Sequence, residues 1–255
     1  MKSATQRFCP ESGFSDSIGK MKIFFDVDGV VIDGWHAKPE RRKRWDATIE
    51  RDLGIDVEAF QQKFFRFPTG KIPSVMHGCV SGEYDLKEAL AVVLPTVGYN
   101  GSIDAFIRYW FEKDSNVNRD VLEAVKLLGR HSDVEIYLLT GQEHYRAAYL
   151  WNELRFREYF KDILYSARLG HLKNTPEFFS RVNSVLSIAA PERPLFFDDQ
   201  EEVVGLALAS GWDACVFNTV EDVRTHPRLR SLLQDGLGDR PRLPAEAQPL
   251  IKRLT

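Results

Sequence analysis

Asp26 and Asp28 flank Val27 at the end of the run KIFFDVDG, residues 22–29. An apolar run that ends in acids puts carboxylates at the exit of a buried strand. If the chain stays extended through Val27, both carboxylates point to one side. Such a pair can divide labour, one acid staying ionised as a nucleophile while the other cycles as general acid and base. Asp-x-Asp-Gly also occurs in turns and calcium loops, where the acids only cap or chelate. The motif alone leaves both readings open.

Three further groups bear on the choice. The run Leu138-Leu139-Thr140-Gly141 puts a hydroxyl after a second apolar run. With the backbone N–H groups of a following helix, that hydroxyl can hold a phosphate oxygen; an ordinary helix cap is the simpler alternative. Lys173 lies just before a helical pattern, where a cation opposes the helix dipole and calls for a compensating anion. A flexible surface lysine is the alternative there. Leu195-Phe196-Phe197 runs into Asp198-Asp199. Adjacent acids after a buried strand are costly unless they bind a cation or accept several hydrogen bonds. An oxygen-only ligand set with Asp26 suits Mg²⁺; a helix-capping pair is the alternative. Asp, Thr, Lys and Asp-Asp each fall at or just after the C-terminal end of a successive strand. Ligands of open α/β sheets bind on that rim, and four unrelated local explanations would all have to land on it.

The positioning elements are short apolar runs at residues 22–27, 134–139, 163–165, 194–197 and 214–217. Helical patterns at 121–128, 143–154, 176–186 and 201–209 alternate with most of them. Strands alternating with helices predict an α/β fold, a doubly wound parallel sheet covered on both faces. One gap breaks the alternation. From Trp35 to Val117 the apolar residues recur at helical spacing: Trp45, Ile49 and Leu53; Val57, Phe60, Phe64 and Phe67; Leu86, Leu90 and Val93; Phe106, Ile107, Trp110 and Phe111. Breakers at 68–70, 81–82 and 99–101 separate these stripes. The expected organisation is a leader at 1–20, an α/β core at 21–34 and 116–235, an inserted all-helical cap at 35–115 and a proline-containing tail at 236–255.

Composition sets outer limits. The 255 residues are 44% hydrophobic and 28% charged, with a net charge of -3, the balance of an ordinary globular protein without a basic field for nucleic acid. No apolar run reaches the roughly 18–20 residues that span a bilayer, and the first twenty residues lack the apolar core of a signal peptide. Cys9, Cys79 and Cys215 are too scattered for a disulfide framework, so a reducing, cytoplasmic setting is expected. The six histidines form no zinc-type pair. Arg41-Arg42-Lys43-Arg44 is interleaved with Glu40 and Asp46 at i,i+4 spacing and reads as a solvated helix face. Trp35 and His36 could line a substrate entrance or pack a hinge. Cys79 and His77 form no evident catalytic pair. The phenylalanines of the insertion read as its core.

The four motifs together resemble those of the haloacid dehalogenase-like (HAD) superfamily of hydrolases. FFDVDGVVID looks like the first motif, LLTG the second, GHLKNTPEFF the third and FFDDQEEVVGLALASG the fourth, over about Lys22 to Phe217. The resemblance implies a Rossmann-like core with a C1-type cap and leaves no room for a C2 cap between Thr140 and Lys173. It also implies a Mg²⁺-dependent hydrolase of a small phosphorylated metabolite. Asp26 would be the nucleophile and Asp28 the general acid/base, with the Asp28 backbone carbonyl also on the metal. Thr140, with Gly141 beside it, would hold the phosphoryl group. Lys173 would steady Asp26 and the transferring charge. Asp199 would be a direct metal ligand, with Asp198 supporting it. The family's dehalogenases lack the second acid of the first motif, so Asp28 favours a phosphatase.

Two positions depart from the pattern: Asn174 follows Lys173 where proline is usual, and Val203 stands where a further Asp or Asn often lies. A sugar phosphomutase, a 2-haloacid dehalogenase, a phospho-receiver module and a silent binding protein are the competing readings. In receiver modules the acidic pair precedes the phosphorylated Asp, and no helical insertion separates the first two strands.

Overall fold

A computed structural model describes residues 20–34, 43–66 and 73–235. The expected leader up to residue 19, Trp35 and His36, Glu40 to Arg42, Phe67, the breaker at 68–70 and the tail from 236 lie outside the described residues.

Five strands form one parallel sheet in the order β3-β2-β1-β4-β5. They are β1 (Met21–Phe25), β2 (Val134–Thr140), β3 (Asp162–Tyr165), β4 (Leu195–Asp198) and β5 (Asp213–Val216). In β1, Ile23, Phe24 and Phe25 are all fully buried. A central parallel strand covered on both faces reads as a continuous apolar run, which is why it shows no alternation. Side chains still alternate between faces. Ile23 and Phe25 join one core cluster with Leu138, Val125 and Leu150. Phe24 joins another with Tyr137, Phe179 and Trp212.

Helices α6 (Arg119–Leu128), α7 (His144–Asn152), α11 (Val220–Arg224) and α12 (Arg230–Asp235) cover the first face; α8 (Ser166–Leu169), α9 (Pro176–Val185) and α10 (Glu201–Ala209) cover the second. The chain leaves β1 for β2 and β3 on one side, then returns past β1 to β4. Strand order therefore reverses between β1 and β4, where open α/β sheets form their ligand crevice. Register there pairs Phe25 with Phe197, so Asp26 and Asp198 emerge side by side, and the Asp26 N–H donates to the Phe197 carbonyl at 2.9 Å.

Between β1 and β2 lie α1 (Ile49–Leu53), α2 (Val57–Phe60), α3 (Val75–Ser81), α4 (Leu86–Val93) and α5 (Ile103–Lys113). They share a third cluster built on Phe60, Phe64, Leu90, Phe106 and Trp110. α2 continues as a π-helical turn over Gln61–Phe65, so the stripe through Phe60 and Phe64 widens without breaking, and these two rings stack at 5.4 Å. α3 escapes the stripe reading because Gly78 sits mid-helix, where the Tyr84 ring packs against it and leaves no room for a Cβ.

Trp45 precedes α1 in a turn and stacks on Trp110 at 5.0 Å. The basic run is likewise not a helix face where it is described. Arg44 clamps the buried Asp46 through two bonds of 2.9 and 2.6 Å at i,i+2 spacing.

The two crossings between helical unit and sheet unit are tied together. The Asp33 N–H donates to Asn116 O at 2.7 Å, and the Asn118 N–H to Val31 O at 2.8 Å. Arg146 on α7 binds the Phe111 carbonyl at 3.0 Å, Ser115 Oγ at 2.7 Å and the Asp114 carbonyl at 2.6 Å. Those bonds engage a buried guanidinium that would otherwise be costly. No helix among the described residues is long and apolar enough to cross a membrane.

Candidate active site

Asp26 follows β1 directly and is buried. Its Oδ2 lies 2.7 Å from Lys173 Nζ, and the same ammonium lies 2.8 Å from Asp198 Oδ2. Lys173 is held at its backbone, where its N–H donates to the buried Ser166 Oγ at 3.0 Å. The lysine thus has the compensating anions that its position called for, two carboxylates from adjacent strands. Burial alone would lower the Lys173 pKa, but Asp26 and Asp198 together hold it above the usual lysine range. Burial pushes the Asp26 carboxyl well up, Lys173 opposes that shift, and repulsion from Asp198 and Asp28 adds to it.

The acidic pair divides its work. Asp198, last in β4, is fully buried; its second oxygen accepts the Gln200 N–H at 2.9 Å. Asp199 extends beyond the strand, and burial followed by repulsion from Asp198 raises its pKa. One carboxylate oxygen from each of Asp26, Asp198 and Asp199 lies within 4.8 Å of the others. Asp26 Oδ1 and Asp199 Oδ1 are buried without a hydrogen-bond partner. Orphaned buried carboxylate oxygens are expensive, and a hard divalent cation such as Mg²⁺ takes this donor set. Gly29, at φ +90°, makes room for it: a Cβ there would fall inside contact distance of the Asp199 carboxylate.

β1 ends at Phe25, and Val27 lies in a turn rather than extending the strand. Asp28 therefore reaches the site differently from the extended-chain expectation. It forms an isolated bridge with Ile32, and its Oδ2 accepts a short hydrogen bond from Gln142 Nε2. Its carboxylate stands outside the three-acid cluster.

Thr140 is buried at the end of β2. The helix that follows does not open at Gly141: α7 begins at His144, and Glu143 caps it, accepting from Tyr145 N at 2.6 Å and from Arg146 N. Gly141 instead faces the lysine loop; a Cβ there would lie 3.8 Å from Lys173 Cβ.

Above these groups lies a cavity of about 380 Å³. Asp28, Gly29, Gly141, Gln142 and Asp199 form its floor, and Trp45, Phe65, Met76, Trp110 and Phe111 of the helical unit form its roof. Some of the aromatics expected only as core therefore also face the cavity.

Two solved structures share this fold at low sequence identity. A HAD family enzyme of Bacteroides thetaiotaomicron, solved in complex with magnesium and inorganic phosphate, superposes with a TM-score of 0.60 at 18% identity over 77% of this chain and 93% of its own. A predicted HAD-like family hydrolase from Porphyromonas gingivalis gives 0.62 at 16% identity over 84% and 98%. The chain has the HAD-like fold. An L-2-haloacid dehalogenase from Xanthobacter autotrophicus, with chloropropionic acid covalently bound, gives 0.50 at 16% identity over 76% of each chain. No family model and no curated protein matches the sequence.

On this HAD-like scaffold Asp26, Lys173, Asp198 and Asp199 meet at the β1/β4 crevice, with Asp28 at the cavity wall. Val203 packs in the core, and Asn174 is exposed. Sequence reasoning missed Gln142, Glu143 and Asp114, which also line the cavity. Burial pushes Glu143 up to about 7 against its two N–H donors and Arg146. Burial and then Asp28 push Asp114 up to about 6. The signal for Gln142 and Glu143 was their place just past a strand end; Asp114, far off in sequence, offered none. Cys79 is buried, and burial followed by Glu143 and Asp85 holds its thiol up at about 12, which makes it unreactive.

Proposed function

We propose that this protein is a Mg²⁺-dependent hydrolase of a small phosphate monoester that works through a covalent aspartyl-phosphate on Asp26. The observation that carries this reading is the pairing of Lys173 with both Asp26 and Asp198 beside two buried, unpartnered oxygens, Asp26 Oδ1 and Asp199 Oδ1. Asp26 attacks phosphorus as the bond to the leaving oxygen breaks. Asp28 donates its proton to that oxygen. The same carboxylate then takes a proton from water, whose oxygen attacks phosphorus, releases inorganic phosphate and frees Asp26. Thr140 and Gly141 hold the phosphoryl oxygens, and Lys173 balances charge on the equatorial oxygens.

Charge balance is the central requirement. Two unit charges 4 Å apart repel by about 4 kcal/mol at an effective dielectric near 20, and a phosphate dianion facing a carboxylate meets roughly twice that. Asp26, Asp199 and the Asp28 carbonyl, with Asp198 behind them, would hold a Mg²⁺ ion whose positive charge would offset this repulsion. Asp28 separates the reading from dehalogenation, which has no leaving oxygen to protonate. Three scattered cysteines, with Cys79 a buried free thiol, fit a reducing, cytoplasmic setting.

The test is release of inorganic phosphate from p-nitrophenyl phosphate and from a panel of phosphorylated metabolites. Release that requires Mg²⁺ and stops on chelation is the expected result. Phosphoryl transfer between sugar hydroxyls without release would favour a mutase. No turnover with any phosphate ester would overturn the reading.

A further inference from the structure

Gln142 is a buried amide whose Nε2 donates to Asp28 Oδ2. A carboxylate has only acceptors, so the amide must present its NH₂ end to it. We propose that Gln142 is the positioning residue for Asp28, fixing Oδ2 so that Oδ1 carries the proton to and from the reacting oxygens. The proposal rests on the aspartyl-phosphate reading above and assigns a role that none of the four sequence motifs contains.

The two partners differ in how they are held. Asp28 lies in a turn beyond β1, half-buried at the cavity wall. Gln142 follows β2, whose register with β1 runs to the Phe25–Leu138 pair. Its carbonyl accepts the Ala167 N–H at 3.2 Å, and the next residue, Glu143, caps α7. The more deeply buried side chain therefore orients the more exposed one.

Burying an amide is costly unless its donors are used, and the bond to Asp28 uses one. An N–H donor on Oδ2 disfavours a proton on that oxygen and directs it to Oδ1. The same bond keeps Asp28 away from the Asp26, Asp198 and Asp199 cluster, where a fourth carboxylate would add repulsion. A general acid is effective only within hydrogen-bond reach of the atom it protonates, so a carboxylate free to rotate loses rate without losing substrate affinity.

Leaving-group dependence tests this. An alkyl phosphate needs protonation of its departing oxygen, whereas p-nitrophenolate leaves largely without it. With Mg²⁺ present, Gln142→Met should lose about tenfold or more in kcat/KM on an alkyl phosphate such as glycerol phosphate, and less than about threefold on p-nitrophenyl phosphate. In an Asp28→Asn background the same substitution should cost less than about twofold, since the group it positions is already gone. Gln142→Asn keeps the amide but cannot reach Asp28; it should show the same selective loss and serves if the methionine variant folds poorly. Equal losses on both substrates, or an undiminished loss in the Asp28→Asn background, overturn the positioning role while leaving the hydrolase reading intact. A wild-type protein that hydrolyses neither substrate overturns both.

Discussion

Asp26→Asn is expected to lower phosphate release by at least about 10³-fold, a loss of about 4 kcal/mol in transition-state stabilisation. The amide oxygen is a poor nucleophile and cannot form the acyl phosphate. It also weakens the donor set, because Asp26 Oδ1 is one of two buried oxygens without a partner. The fold should survive. Asn has nearly the same shape, the backbone bond from the residue 26 N–H to Phe197 O is untouched, and Lys173 keeps Asp198 at 2.8 Å. Initial rates of phosphate release with Mg²⁺, alongside a thermal unfolding curve, check this. A folded variant that retains a tenth or more of wild-type activity would remove Asp26 from the nucleophile's place.

Lys173→Met is expected to damage both activity and stability. The ammonium is shared by Asp26 and Asp198, both buried, so its loss strands two carboxylates at once. Removing one partner of a buried ion pair typically costs about 3–5 kcal/mol, because an uncompensated charge is left behind. The pH dependence of that cost has a definite sign. Burial already holds the folded-state pKa of Asp26 above its unfolded value, and without Lys173 nothing opposes that shift. The folded state then binds more protons than the unfolded state through that window, so stability falls as pH rises and recovers as pH falls. Urea unfolding of the variant and the wild type at several pH values in chelator reads this directly. The deficit should be largest at neutral pH and shrink toward the acid range. A deficit independent of pH would mean that Lys173 contributes packing rather than charge.

The strand ends were legible because a buried parallel strand is a bare apolar run, and an acid directly after it stands out. Asp26 and Asp198 emerge on adjacent strands at the point where strand order reverses, as the alternation of elements requires. Lys173 was legible by a different argument, the need of a cation near a helix N-terminus for an anion, and it has two. Which of the acidic pair stays free followed only from the family resemblance, not from any local pattern. β4 includes Asp198, so that residue faces Lys173 and the Gln200 N–H, while Asp199 lies one residue beyond the strand with an unsatisfied oxygen.

The path to Asp28 stayed open in the sequence, because Asp-x-Asp-Gly fits an extended chain or a turn; the structure has the turn, with Asp28 bridged to Ile32. The helix after Thr140 starts within one residue of the expected position, with Glu143 as its cap. Asp114 and Gln142 join the cavity only through tertiary packing, from elements distant in sequence.

The covalent step is the centre of this account, and chemical trapping tests it most directly. The full-length protein is mixed with Mg²⁺ and a phosphate monoester, quenched during turnover and treated with borohydride, which reduces an acyl phosphate to the alcohol. Peptide mass spectrometry should then find homoserine in place of aspartate at position 26, in a substrate-dependent manner. Reduction at any other acid, or none at position 26 while phosphate is being released, would contradict the mechanism.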